Sequence, residues 1–452
     1  MRKAVWRTIA PITALALAGA ALVGCSSGGS DSGGKVTITV GNEPTSDQTA
    51  ALKVYKQQLA SFEKANPNVT VKPSTTTYDA QTFQALVASG KMPDVFFVPF
   101  TDIQSLIARG QVADITQEYK ADSQASKVNP TVQKVATANG KTYGAAVGAY
   151  TMALIYNRAL FTKAGLDPDK PPTTWDEVRA DAKTITDKTG KQGYMSMTTN
   201  NTGGWSLTTM SYAFGHTVES KDGKKATVDN DATKKALEMY QQMRWQDNSF
   251  GSNFLLNQDD VFKQMAAGNV GMLVNGSDAY TTTVVTDGMN KDDFGLAPLP
   301  QASNGLGTLG GGTIAIFSPK ATKAQISAGL KFVDWTYFRQ YFDKDTAVTT
   351  AKATVADGGA VGAPGLQLFD NATNNRYLSW VKDEINVPRD HYKAYFDSAT
   401  TLPLVPEPMT QAQQVYSILD NTLQAVLTNK NTNIDDLLKS SQTQVQSAIN
   451  GG

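Results

Sequence analysis

Cysteine and histidine are the side chains that most often do covalent or metal chemistry. This chain of 452 residues holds one cysteine, Cys25, and two histidines, His216 and His391. That is poor material for a zinc site, which draws about four ligands mostly from these residues. A single cysteine also leaves no disulfide within the chain. No metal and no cofactor is expected. A serine nucleophile on a strand-to-helix elbow needs Gly-x-Ser-x-Gly; that pattern occurs only at Gly24–Gly28, between the apolar run and the Ser/Gly stretch and not after a strand, and neither histidine sits in a recognisable triad context. Glycosidic cleavage needs two carboxylates about 5–9.5 Å apart across one bond. Asp259-Asp260 and Asp292-Asp293 are chain neighbours whose contexts read as a helix start and a turn. The run GTLGGGTIAIF lacks the Gly-Lys-Ser/Thr ending of a phosphate loop and leads into a strand. Its glycines, Gly310, Gly311 and Gly312, suit close backbone approach to a ligand or to an opposing part of the fold.

The lone cysteine has a different use. Arg2, Lys3 and Arg7 precede an uncharged, Ala- and Leu-rich run from Ile9 to Gly24. That run is short for a membrane helix, which needs roughly 20 residues, and suits an export signal. Leu22-Val23-Gly24-Cys25 is similar to the bacterial lipobox, in which the signal is removed before the cysteine and its sulfur is lipidated. Residues 1–24 then form a lipoprotein signal peptide, and 25–34, rich in Gly and Ser, a flexible tether. Lipid chains on Cys25 would hold the protein to the outer face of a membrane. The remaining chain is too long for one core, so two domains are expected. With 41 basic against 41 acidic side chains, nothing in the charge favours nucleic acid.

The elements follow from spacing. KVTITV alternates and is β-branched, a strand ending at Val40. Thr45 and Gln48 are spaced as a capping box, and Tyr55, Leu59 and Phe62 share one helical face that must stop before Pro67. NVTV, AQTFQALVASG and PDVFFV follow as strand, helix and buried strand. Strand–helix alternation predicts an α/β sheet with crossover helices. YGAAVGAYTMALIYN opens with small residues, where the chain could cross between two lobes; Thr174 and Glu177 then cap a further helix, and Thr410–Ile449 reads as helical.

Tyr156-Asn157, Phe161, Ala164-Gly165-Leu166, Pro171-Pro172 and Thr174-Trp175-Asp176-Glu177 together resemble the sugar-binding lipoproteins of bacterial ABC importers, in the maltodextrin-binding-like group. GKMPDVFFV, VFKQMAAGNVGMLVNGS, FGLAPLP and AGLKFVDWTYF extend the resemblance, in order, over the mature chain. It implies an α/β, two-lobed periplasmic-binding-protein-like fold (type II) with ligand in the cleft between lobes joined by crossing hinge segments. It also implies an N-terminal lobe of 35–146 with 300–348 and a C-terminal lobe of 147–299 with 349–452, FGLAPLP making the second crossing. The expected function is capture of a sugar, an oligosaccharide or disaccharide, by hinge closure, with delivery to ABC permease subunits by a monomer. Two alternatives stand beside it: a membrane-tethered glycosidase, and a receptor for a non-sugar ligand.

A sugar site combines flat aromatic surface with Asp, Glu, Asn and backbone groups for hydroxyls, beyond the C-terminal ends of strands. After the first strand these are Asn42, Glu43 and Thr45; after the second, Tyr78 and Asp79; after PDVFFV, Phe100, Thr101 and Asp102. Tyr150 stands in the first crossing segment. In MSMTTNNTGGWSLTTMSYAFG, Asn200 and Asn201 are placed for hydroxyls or for the turn itself and, by resemblance, Trp205 for stacking. By resemblance, Asn275, Ser277 and Asp278 at the end of a later strand join them; Gly311 and Gly312 offer backbone, and Tyr392 and Glu407 come from loops or short helices near the C-terminus. Trp245 and Trp335 have helical apolar neighbours and are read as core.

Overall fold

One long strand organises the molecule. In the computed structural model, which describes residues 34–79, 82–398 and 402–451, Gly144–Asn157 forms a continuous strand of 14 residues. The strands in chain order are β1 (Val36–Val40), β2 (Val69–Pro73), β3 (Val95–Pro99), the short pair β4 (Thr137–Ala138) and β5 (Lys141–Thr142), the long β6 (Gly144–Asn157), β7 (Gln192–Tyr194), β8 (Val270–Gly276), β9 (Phe294–Pro298), β10 (Thr308–Phe317) and β11 (Leu404–Val405). The expected signal peptide and the expected lipidation site at Cys25 lie outside the described residues, and Lys35–Gly452 forms a unit of its own.

The two halves of β6 have different partners. Gly144–Thr151 pairs antiparallel with β10, which continues into β3, β1 and β2. Met152–Asn157 pairs instead with β8 on one side and β9 on the other, and β7 extends β8. One strand therefore leaves one sheet and enters another. The transfer at Thr151 is clamped: its amide donates to Ser277 Oγ at 3.2 Å, its carbonyl accepts from the Ser277 amide at 2.8 Å, and its hydroxyl meets the Tyr395 hydroxyl at 2.8 Å.

Each sheet has its own core. Ile38, Val40, Phe96, Val98, Ile314 and Ile316 pack with Phe62, Phe83, Ile103, Leu106 and Phe332 from flanking helices. In the second sheet, alternation along β6 sends side chains to opposite faces. Leu154 and Tyr156 meet Trp175, Leu207, Tyr240 and Leu419, while Ala153 and Ile155 meet Phe262, Met265, Tyr280 and Tyr392. Burial on both faces is why this stretch reads as an unbroken apolar run. The first lobe is thus built from β1–β3 and the outer half of β10, the second from β7–β9 and the C-terminal helices.

Several boundaries differ from expectation. FGLAPLP is β9, inside the second lobe, and residues as far as Leu309 still belong to that core. The second crossing comes one segment later, at Gly310–Gly312, where β10 hands over from β11 to β3 and β6. Leu368 and Phe369 pack in the first core, beside Phe338. The chain joins the second lobe again at Val387, Tyr392 and Tyr395. The Thr45–Gln48 pair caps only in part: Gln48 Oε1 accepts from the Thr45 amide and hydroxyl, and the helix begins at Thr49. Thr174 and Glu177 form the full reciprocal box. The C-terminal helical stretch is two helices, Ala412–Thr428 and Ile434–Asn450, the second capped by Asn433.

Candidate functional site

The segment TTNNTGGW is folded by a residue more than two hundred positions away. The helix Thr202–Ala213 has no side-chain cap of its own, and its N-terminal amides would be orphaned in a buried position. Asp420, on the helix Ala412–Thr428, supplies the acceptors: its carboxylate takes the Asn201 amide and the Gly204 amide, both at 2.7 Å. The negative charge also suits the positive end of a helix. Gly203 and Gly204 permit the approach, since a Cβ on Gly204 would sit 2.1 Å from the Tyr416 carbonyl oxygen. Asn200 and Asn201 turn the chain with φ of 58° and 67°, a region asparagine tolerates. What emerges from this turn is Trp205, half-buried, packed against both second-lobe cores.

Trp205 faces Tyr150. Their ring centroids are 5.9 Å apart with planes at 89°, an edge-to-face pair. Tyr150 comes from β6 just before the strand changes sheets, and its ring lies on Gly311, where a Cβ would fall 2.2 Å from the hydroxyl oxygen. Around this pair lies a cavity of about 360 Å³. The first lobe contributes Pro99 and Thr101, at the end of β3. The second contributes Asn200, Asn201, Thr202, Gln258, Gly276 and Asp278. Glu407, Gln413 and Tyr416 close it from the C-terminal segment. The lining holds three aromatic side chains with polar edges, four side-chain amides, two threonine hydroxyls and two carboxylates, the donors and acceptors that a hydroxyl-rich ligand engages.

Glu407 is held in low-polarity surroundings. Burial raises Glu407 to about 7 against the hydrogen bond it accepts from the Tyr416 hydroxyl, and the Asp102 charge pushes the same way as burial. Asp278 opens onto the cavity, yet the protein around it raises its carboxyl too. Burial likewise raises the Tyr150 hydroxyl, with Glu407 and Asp278 adding to the effect.

Of the residues read from the sequence, Thr101, Tyr150, Asn200, Trp205, Asp278 and Glu407 meet at this cavity. Tyr78 and Asp102 stand just behind Thr101: Tyr78 donates to Asp102 at 2.7 Å and Thr101 donates to it at 2.8 Å. The rest are placed differently. Phe100 is buried in the first core, its ring against the position a Gly312 Cβ would take, so Gly312 serves this packing. Gly311 lies under Tyr150 and Gly310 under Leu404; the glycine run fits side chains against β10. Asn275 is fully buried, its Oδ1 accepting from Gln258 and the Gly276 amide, so it positions Gln258. Ser277 is fully buried in the Thr151 clamp. Tyr392 is fully buried between Tyr280 and Phe294. Asp79 accepts from the Thr82 amide and hydroxyl at a helix start. Asn42 lines a different hollow of about 890 Å³ with Tyr55, Phe97 and Tyr337. The Glu43 amide donates to the Ser74 carbonyl, and Thr45 is exposed.

Asn201 lines the cavity beside Asn200, and both also make the turn. Thr202, Gln258, Gln413 and Tyr416 line it too and were passed over by sequence reasoning; Gln258, Gln413 and Tyr416 sit inside ordinary helix patterns and carry no local signal. Trp245 and Trp335 are half-buried and used for packing: Trp245 Nε1 donates to the Val426 carbonyl at 2.8 Å, and Trp335 meets Phe62.

Two lobes sharing crossing strands, with an aromatic and polar cavity where they meet, define a binding protein of the two-lobed, hinge-cleft class. The chain belongs to the bacterial extracellular solute-binding protein family, whose model matches residues 42–340. The maltooligosaccharide ABC transporter solute-binding lipoprotein of Streptococcus pneumoniae is 25% identical over 343 residues, 73% of this chain and 76% of that one. Among solved structures, the cyclic alpha-maltosyl-1,6-maltose binding protein of Arthrobacter globiformis superposes with a TM-score of 0.71 at 22% identity, over 93% of this chain and 100% of that one. UgpB of Mycobacterium tuberculosis, solved with glycerophosphocholine, superposes with a TM-score of 0.69 at 16% identity, over 92% and 99%. No helix among the described residues is long and apolar enough to cross a membrane.

Proposed function

We propose that this protein captures a sugar, an oligosaccharide or disaccharide, in the cleft at Tyr150 and Trp205 and delivers it to the membrane subunits of an ABC importer. The observation that carries this reading is the edge-to-face Tyr150–Trp205 pair inside a cavity lined by amides, hydroxyls and carboxylates from both lobes. Such a pair offers apolar surface to a pyranose face while the polar groups take its hydroxyls. Asn200, Asn201, Gln258, Gln413, Thr101, Asp278 and Glu407 are assigned to hydroxyl contacts, with Asn275 and Asp420 holding them in place.

Lobe closure is assigned to the strands at Gly148–Thr151 and Gly310–Gly312, a hinge motion that ligand favours by binding the closed state more tightly. The polypeptide is assigned to the outer face of the cell membrane as a monomer, anchored by lipid on Cys25 of the lipobox. The family is one of binding proteins, and no catalytic role is assigned to the cleft carboxylates.

The test is thermal unfolding of residues 35–452 against mono- and oligosaccharides, with amino acids and a peptide as controls. A ligand that binds only the folded state adds about 2.7 kcal/mol at a hundredfold excess over Kd. A rise in Tm with one sugar class is the expected result. A rise with an amino acid or peptide and with no sugar would overturn the assigned ligand.

A further inference from the structure

We propose that the cleft is built for a sugar bearing a protonated amine, with Asp278 and Glu407 selecting that charge. The inference rests on the sugar reading above and narrows it.

The cavity that Tyr150 and Trp205 mark as the ligand cleft contains two carboxylates and no cation: none of its lining residues is Lys, Arg or His. A third carboxylate, Asp102, lies behind Thr101 and raises the proton affinity of Glu407. No salt bridge to Asp102, Asp278 or Glu407 occurs among the described residues. Nor does any cluster among them suit a metal ion that could supply the positive charge. A buried carboxylate such as Glu407 is ordinarily paired, because desolvating an unpaired charge is costly. Here the groups that face Glu407 are Tyr416 and Tyr212 from second-lobe helices, Tyr150 from β6 and Asp102 from the first lobe, all neutral or acidic. The missing partner is a cation that arrives with the ligand.

Two further features fit an ammonium group. The edge-to-face aromatic pair presents a ring face that attracts cations. The Tyr150 hydroxyl, deep in the protein, has no hydrogen-bond partner among the described residues and is free to accept one. An anionic ligand meets the reverse situation, since a phosphate or carboxylate would face Asp278 and would disfavour the charged form of Glu407. Ionisation also becomes coupled to binding. An ammonium beside Glu407 favours its charged form, so binding near pH 6.5 releases a proton that binding of a neutral sugar leaves in place.

Calorimetric titration at pH 6.5 of matched pairs tests this: glucosamine against glucose, and the glucosamine disaccharide against cellobiose, each in two buffers of different ionisation enthalpy. The amine member should bind about tenfold or more tighter than its hydroxyl partner, and only the amine should release a proton. Glu407→Gln should shrink the preference to about twofold and abolish the release. Hydroxyl sugars binding as tightly as amine sugars, or sn-glycerol 3-phosphate binding more tightly than either, would overturn the charge selection and leave the sugar reading standing. Absence of binding by every sugar, charged or neutral, would sink both.

Discussion

Tyr150 and Trp205 meet edge to face at 5.9 Å, although one stands on the strand that links the lobes and the other at the start of a buried helix. The contact ties the aromatic wall of the cleft directly to the hinge, because the residue after Tyr150 is the clamped Thr151. A ligand that presses on this pair therefore touches the segment to which lobe closure is assigned.

Trp205→Ala should weaken sugar binding by about 1–3 kcal/mol, the scale of a large apolar surface left uncovered. Trp205→Phe should recover much of it. Calorimetric titration with the best sugar from the thermal screen checks both. An alanine variant that binds as well as the parent would assign the indole to packing alone.

Gly311→Ala puts a methyl 2.2 Å from the Tyr150 hydroxyl oxygen, a distance that forces the ring to move. Overpacking of this kind costs about 1–3 kcal/mol. The variant should lose both stability and affinity, whereas Gly365→Ala, where nothing lies within 4 Å of the new methyl, should change neither by much. Denaturant unfolding and titration of the two variants side by side give the comparison.

Asp420→Ala removes the acceptor of two buried amides and leaves the helix Thr202–Ala213 without a cap. Loss of such a group costs about 1–3 kcal/mol. The turn carrying Trp205 should loosen with it, so affinity should fall as well as stability. An unfolding midpoint equal to the parent's would show that the helix start does not depend on Asp420.

Glu407 is raised to about 7 from an ordinary 4.5, chiefly by burial. The folded state then holds a proton that the unfolded state has released, so this residue favours folding below about pH 4.5 and loses that advantage as pH climbs to about 7. Above 7 the ionised group is a fixed penalty of up to about 3 kcal/mol. The parent should therefore lose stability relative to Glu407→Gln between pH 4.5 and 7, with a constant difference above. Unfolding curves across that range decide it, and parallel curves for the two proteins would contradict the assigned burial effect.

Cys25→Ser should release the protein from the membrane into the medium or periplasm with its affinity for ligand unchanged. Fractionation of expressing cells reads the first and titration the second. Retention of the serine variant in the membrane fraction would show that the anchor lies elsewhere.

The elements were legible because they depend on near neighbours. Alternation in VTITV, the Thr174–Glu177 box and the apolar run in MALIYN each record forces acting within a few residues. The rule that ligands gather beyond strand ends led to several residues that meet at one cavity. It could not say which residue at each place faces the cleft. At the end of β3, Phe100 turns into the core and Thr101 turns out; after β8, Asn275 and Ser277 are sealed in and Asp278 opens. That choice depends on strand register and on what packs beneath, which only the assembled sheets fix. The same limit hid Gln413, Tyr416 and Asp420. Their positions on the helix Ala412–Thr428 are unremarkable until that helix docks on Gly203 and Gly204, more than two hundred residues earlier. What the sequence determined alone was the class of elements and the run of small residues in the long strand that links the lobes. The wall of the cleft, the company of its carboxylates and the point of the second crossing were decided by contacts distant in the chain, which local patterns do not encode.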